Sequence, residues 1–226
     1  MEHVKVLSSS ISAFTMRVLI GLEEKGVKYE YQEENLLAKK SDLLLQMNPV
    51  YKKVPVLIHN GKPICESLII LQYIDETWDS KPLLPSKPYD RAIARFWADF
   101  ADKKFFDSGV RIVKSKDEAL EEAKHDMLES LQFLEGALKE ISAEGSLPFF
   151  GGKDFGFLDI ALISFASWFH AYESIGNFKI PFESEYPLLD AWVKRCMERD
   201  SVKKALPPAD RVLEFALQVR KIYDVD

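Results

Sequence analysis

Residues 48–67 read Asn48-Pro49-Val50-Tyr51-Lys52-Lys53-Val54-Pro55-Val56-Leu57-Ile58-His59-Asn60-Gly61-Lys62-Pro63-Ile64-Cys65-Glu66-Ser67. Two short apolar runs, Val54–Ile58 and Pro63–Cys65, flank His59-Asn60-Gly61-Lys62. Asn-Gly between β-formers is the strongest short signal for a hairpin. Pro55 brings no N–H to a ladder, so it belongs on an edge or in a cis bend, which leaves the Val54 backbone N–H and C=O to pair with another molecule. Ser67 is predicted to cap a helix running to about Trp78, and the amides at its start favour an anion.

Working outward, Val4–Leu7 is a short apolar strand. Phe14, Val18 and Leu22 recur at helical spacing until Gly26, where a left-handed cap is expected. Val27–Tyr31 alternates as a half-buried strand, and Ser41 is predicted to cap a short helix that stops at Asn48-Pro49. Residues 1–78 thus form a βαβαββα unit, and 79–89, with two Lys-Pro pairs and a Leu-Pro, are a linker. From 90 to 226 the pattern is helical. Ile93, Phe96, Trp97, Phe100 and Phe105 make one apolar stripe, interrupted at Gly109, and Phe96, Trp97 and Phe100 are read as core. Leu120, Met127, Leu131, Leu134, Leu138 and Ile141 make a second, too short for a coiled coil and so a bundle helix. Phe157–Tyr172 is apolar on nearly all faces and is predicted to be the central buried helix, with two more near Tyr186–Arg199 and Pro208–Tyr223. The fold class is α/β followed by all-α.

Composition removes several functions. The 226 residues carry 30 Lys+Arg and 36 Asp+Glu, a net charge of -6. The first 80 hold 9 basic and 11 acidic side chains and the rest 21 and 25, so neither part offers the basic stripe that nucleic acid needs. The most apolar stretch contains Asp159 and His170 and falls short of the roughly 20 residues of a membrane span. Two cysteines make neither a disulfide framework nor a Cys-rich metal site, and the N-terminus has no signal-peptide pattern, so a cytoplasmic protein without a metal is expected.

No Gly-x-Ser-x-Gly elbow, Gly-rich phosphate loop, Cys-x-x-Cys pair or metal-binding histidine pattern is present, so any sulfur chemistry belongs to a ligand. Polar groups instead gather at the strand ends of the first unit. Ser12 lies between the first strand and first helix, facing the positive end of a helix dipole. Val54 offers backbone, Glu66 a carboxylate, Ser67 a helix start, and Lys40, Lys52 and Lys53 ammonium groups. The set suits a short anionic peptide with a free amine. Asp159 is read as a helix-start cap, Cys65 as a buried strand residue and Cys196 as a core or interface thiol.

These residues, with Gly152-x-x-Phe155-Gly156-Phe157-Leu158-Asp159-Ile160-Ala161-Leu162 and Trp192-x-x-Arg195-Cys196, closely resemble plant tau-class glutathione transferases over essentially the whole chain. The resemblance implies a thioredoxin-like domain, an all-helical domain and a homodimer. It implies Ser12 as the catalytic serine at the glutathione sulfur, Lys40 and Lys53 at the glycyl carboxylate, Val54 before a cis Pro55 at the cysteinyl backbone, and Glu66 and Ser67 at the γ-glutamyl end. The family writes Ser-Pro-Phe where this chain has Ser12-Ala13-Phe14. Phe14 and Arg17-Val18 anchor the match on Ser12, with Ser10 the other choice. Hydrophobic electrophiles would be met by Ala13, Phe14 and Leu37 from the first domain and Phe106, Arg111, Trp168 and Phe215 from the second. Two readings stay open: an enzyme conjugating glutathione, its co-substrate, to such electrophiles, with peroxidase activity at its side, and a carrier (ligandin) on the same fold.

Overall fold

The turn at Asn60-Gly61 fixes the first body. Both residues have positive φ, 50° and 80°, as the tight hairpin turn requires. The turn joins β3 (Val56–His59) to β4 (Lys62–Cys65) in a computed structural model that describes residues 2–225. β3 also pairs antiparallel with β1 (Val4–Ser8), and β1 pairs parallel with β2 (Glu30–Glu33), giving the order β2-β1-β3-β4. Pro63 therefore lies in an edge strand, where its missing N–H is harmless.

Helices α1 (Ala13–Lys25) and α3 (Ser67–Thr77) pack against each other, and α2 (Asp42–Met47) sets Leu44 on Leu7, Val56 and Ile58. Lys25 and Asp75 form an almost wholly buried ion pair at 2.8 Å that joins the end of α1 to α3. Lys25 Nζ also donates to the Lys81 carbonyl at 3.1 Å, and Asp75 accepts the Leu83 amide at 2.7 Å, so the pair holds the chain leaving α3.

The described chain divides into two bodies. The first takes in residues up to Leu83 together with Asp200–Leu206, and the second Leu84–Arg199 and the residues from Pro207 on. The late segment Asp200–Leu206 carries α11 (Asp200–Ala205), which packs on α1, with Lys204 Nζ 2.9 Å from Glu23.

The second body is helical. It runs α4 (Pro88–Phe100), a π turn (Ala101–Phe105), α5 (Phe106–Lys114), α6 (Asp117–Ile141), α7 (Phe157–Ile163), α8 (Phe169–Gly176), α9 (Phe182–Glu185), α10 (Pro187–Met197) and α12 (Ala209–Tyr223). Gly109 lets α5 meet α8 closely, since a Cβ there would lie 2.5 Å from the Tyr172 ring. The Asp159 carboxylate gathers the start of α7. It accepts the amides of Phe150, Gly151 and Gly156 at 2.8, 2.9 and 3.0 Å and the Trp192 indole N–H at 2.8 Å. It is thus the expected cap, extended by a bond to α10. No helix among the described residues is long and apolar enough to cross a membrane, and no cluster of three metal-ligating side chains occurs among them.

Several expectations need correction. The second strand starts at Glu30, not Val27, because its ladder with β1 runs only from Glu30 to Glu33. Phe157–Tyr172 is not one helix. α7 ends at Ile163, and the Phe165 and Trp168 amides bond three residues back, to the Leu162 and Phe165 carbonyls, making a tight turn before α8. The helix expected near Tyr186–Arg199 is α10, and the short α11 after it was not anticipated. Phe96, Trp97 and Phe100 are not core. α4 buries Ala94 and Ala98, while Phe96 is 57% exposed in an edge-to-face chain with Trp97, Phe100 and Phe133. Cys65 is half-buried; Cys196 is fully buried, and neither is disulfide-bonded.

Burial pushes the Asp159 carboxyl up to about 6 against its four N–H donors, which pull the other way. The native state then holds a proton that the unfolded chain has released, so this group's contribution to stability declines as pH rises from about 4 to about 6. Asp159→Asn turns an N–H2 toward the Gly151 and Gly156 amides. It is expected to lower unfolding free energy by about 3 kcal/mol in urea titrations at pH 7 and to abolish that decline.

Candidate active site

Strand register decides which side chains meet. Leu7 on β1 faces Val56 on β3, and Val56 faces Cys65 on β4; Ser8 at the end of β1 lies opposite Glu33 at the end of β2. The exits from β1, β2 and β4 and the entry to β3 therefore share one end of the sheet. The first exit leads to Ser12, the second to Leu37 and Lys40, and the third to Glu66 and Ser67, while the entry carries Lys53 and Val54.

Ser12 is the N-cap of α1 (φ −83°, ψ 114°), and its Oγ accepts the Thr15 amide at 3.4 Å. Its own amide donates to the Ser9 carbonyl at 3.0 Å, which closes a turn over residues 9–12. Ser10 is differently placed: its hydroxyl donates to Glu33 at 3.1 Å. Ala13 is buried at the first helical position, and Phe14 is half-buried with its ring 5.1 Å from the Arg17 guanidinium.

The Val54–Pro55 peptide is cis. Asn48 braces the approach to it: Nδ2 donates to the Lys53 carbonyl at 3.0 Å, Oδ1 accepts the Tyr51 amide at 3.1 Å, and its carbonyl accepts the Lys52 amide at 2.8 Å. The Lys52, Lys53 and Lys40 side chains are exposed, as is Leu37. Buried Glu34 secures the segment that carries Lys40, taking the Ser41 hydroxyl at 2.6 Å while Ser41 caps α2.

At the third exit, Glu66 has a φ of 70° and is itself the N-cap of α3, so Ser67 is the first helical residue and not the cap. The Ser67 hydroxyl is buried and accepts from Arg17 Nη1 at 3.2 Å. Arg17 is wholly inaccessible, a charged group on the buried face of α1 that ties the Ser12 helix to the Ser67 helix. Sequence reading used Arg17 only as an anchor and passed over Asn48, Glu33 and Glu34. A charge three residues after Phe14 on an apolar stripe was the available signal for Arg17. Glu33 reveals itself only through a partner 23 residues away, whereas Asn48 and Glu34 act on neighbours three to seven residues along the chain.

In the second body, Trp168 and Phe215 come together, their rings perpendicular at 6.2 Å, and Trp168 also stacks on Tyr172. Phe106 stacks on Phe165 at 5.9 Å. The Arg111 guanidinium pairs with Asp107 at 3.1 Å and with Asp126, bracing α5 against α6.

Residues 2–76 match the family model described as glutathione S-transferase, N-terminal domain, and 88–200 the C-terminal domain of the same family. The chain is 54% identical to the probable glutathione S-transferase parC of Nicotiana tabacum over all of this chain and 99% of that one. It is 55% identical to glutathione S-transferase U19 of Arabidopsis thaliana over 93% and 92% of the two. A tau-class glutathione S-transferase from mango superposes with a TM-score of 0.91 at 45% identity, covering 96% of this chain and 98% of that one. A rice enzyme solved in complex with glutathione gives 0.89 at 42%, covering 98% of each.

Removing the Ser67 hydroxyl takes an acceptor from a buried guanidinium. Ser67→Ala is expected to cost about 1–2 kcal/mol in urea unfolding, and Ser67→Thr, which keeps the oxygen, less.

Proposed function

This chain belongs to the glutathione S-transferase family, in its tau class, and from that premise we propose that it activates the glutathione thiol through Ser12 and transfers the thiolate to hydrophobic electrophiles. The observation that carries the reading is the strand register, which sends the chain segments of Ser12, Lys40, Lys53, Val54, Glu66 and Ser67 to one end of the sheet. Glutathione is the co-substrate. In the proposal Lys40 and Lys53 meet its glycyl carboxylate, Val54 pairs with its cysteinyl backbone, and Glu66 and Ser67 take the γ-glutamyl end.

A free thiol with a pKa of about 8.5 is mostly protonated at pH 7, and the thiolate is the nucleophile. Lowering that value by about two units requires roughly 2.7 kcal/mol in favour of the anion. One hydrogen bond from a hydroxyl to the charged sulfur together with the start of α1 supplies about that much. Ser12 then stabilises and does not abstract; positioning against the electrophile does the rest. Ser12 is favoured over Ser10 because Ser10 Oγ–H is already given to Glu33, whereas Ser12 Oγ only accepts, from Thr15.

The residues proposed for the electrophile are Ala13, Phe14 and Leu37 in the first body and Phe106, Trp168 and Phe215 in the helical body. Arg111, committed to two aspartates, contributes more by bracing α5 than by contact. Organic hydroperoxides are a second substrate class, since the same thiolate attacks their oxygen. The cytoplasm is the proposed compartment. The proposal includes a homodimer, supported by apolar side chains left in solvent on α3 (Ile69), α4 (Phe96) and α6 (Phe133). Light scattering is expected to give twice the chain mass, and Phe96→Glu with Phe133→Glu to shift it toward the monomer.

With a chlorinated aromatic as electrophile, Ser12→Ala is expected to lower kcat about 100-fold with the glutathione KM within about threefold, while Ser10→Ala stays within about threefold of wild type. The reverse pattern would move the catalytic role to Ser10. Tight binding of apolar dyes with turnover no faster than the protein-free blank would establish the carrier instead.

A further inference from the structure

The turn that carries Ser12 is held from the neighbouring strand. Glu33 is the last residue of β2, opposite Ser8 in the parallel register, and its side chain reaches two residues further along to Ser10. There the Ser10 amide donates to both carboxylate oxygens, at 3.1 Å each, and the Ser10 hydroxyl donates to Oε1 at 3.1 Å. The Tyr31 hydroxyl donates to the other oxygen of the same carboxylate. Burial and the bond to Glu33 push the Tyr31 phenol up to about 12, so it stays a donor through the neutral range. Next along, the Glu34 amide donates to the Ser8 carbonyl at 2.7 Å.

Position 13 explains what such a clamp is for. It is the first helical position of α1, occupied by alanine. A proline ring is tolerated there because that amide needs no helical partner, and the ring would fix the φ of the turn. Alanine leaves that torsion to be set by contacts. The turn closes through Ser12 N to the Ser9 carbonyl at 3.0 Å, and the Ser9 amide makes only a long approach, 3.4 Å, to Thr15 Oγ1. The Glu33–Ser10 contact sits between those two points and is charge-assisted, hence among the stronger bonds available to the turn.

We propose that Glu33 is a positioning residue for the transfer reaction: by gripping Ser10 it orients the β1–α1 turn and so the Ser12 hydroxyl, in place of the ring absent from position 13. Glu33 touches no reacting atom. The inference rests on the reading of Ser12 as the group at the sulfur. It also assigns Ser10 a task, as the gripped residue and not a second nucleophile-activating hydroxyl.

The test is a mutant cycle on the full-length protein with glutathione and a chlorinated aromatic. Glu33→Ala is expected to lower kcat/KM about fivefold and to move the rising limb of its pH profile upward by about half a pH unit, with the unfolding midpoint only slightly lowered. Glu33→Gln, which keeps an acceptor for Ser10, should recover most of the rate, and so should Ala13→Pro added to Glu33→Ala. Because Glu33 acts through Ser12, Ser12→Ala with Glu33→Ala should be no slower than Ser12→Ala alone. A wild-type rate and pH profile for Glu33→Ala would overturn the proposal. So would a loss that multiplies the Ser12→Ala defect, or one that Glu33→Gln fails to relieve. Should Ala13→Pro not fold, the Gln comparison and the pH limb decide. Full activity of Ser12→Ala would instead remove the reading of Ser12, an outcome separate from failure at Glu33.

Discussion

Val56 pairs with Leu7 on one side and Cys65 on the other, and everything at the candidate site depends on that double pairing. Side-chain period along a strand is two, so a slip of one residue would exchange Val56 and Ile58 for Leu57 on the face that Leu44 covers. It would also shift the Val54 entry relative to the Ser12 and Glu66 exits. Asn60-Gly61 guards the register on one side, since only residues that accept positive φ close so tight a turn. Leu7, Leu44, Val56 and Ile58, all buried together, guard it on the other.

Buried charges then fix the helices onto this frame. Arg17 reaches from α1 to Ser67 on α3, and Lys25 pairs with Asp75 at the far end of the same two helices. An unpaired buried charge is costly, so each contact specifies how α1 lies against α3 even where its net contribution to stability is small. The geometry of the Ser12 N-cap follows from that placement. In the second body Asp159 has a similar task, drawing the 150–156 segment, α7 and α10 to one carboxylate.

Much of this was legible in the chain. The hairpin, the Ser41 and Asp159 caps and the left-handed Gly26 follow from local rules about φ and capping. The misreadings have physical causes. Val27–Tyr31 alternates well, but alternation does not show where pairing begins, and the ladder with β1 starts at Lys5 opposite Glu30. The Phe96 stripe has helical spacing, yet spacing gives a face and not what covers it, and α4 turns its alanines inward. Phe157–Tyr172 contains no Gly or Pro to announce a break, so the turn at Ser164–Trp168 is set by tertiary packing. Glu33 and Arg17 act on residues 23 and 50 positions away, and no local pattern predicts such partners.

The central claim is that the sheet end presents one hydroxyl, that of Ser12, to a thiol whose peptide backbone runs along Val54. A crystal structure of the protein with bound glutathione tests it most directly. The expected result is a sulfur within about 3.3 Å of Ser12 Oγ, the cysteinyl backbone paired with Val54, and Ser10 still bonded to Glu33. A sulfur that lies nearest Ser10 Oγ, with the Glu33 contact broken, would contradict the account.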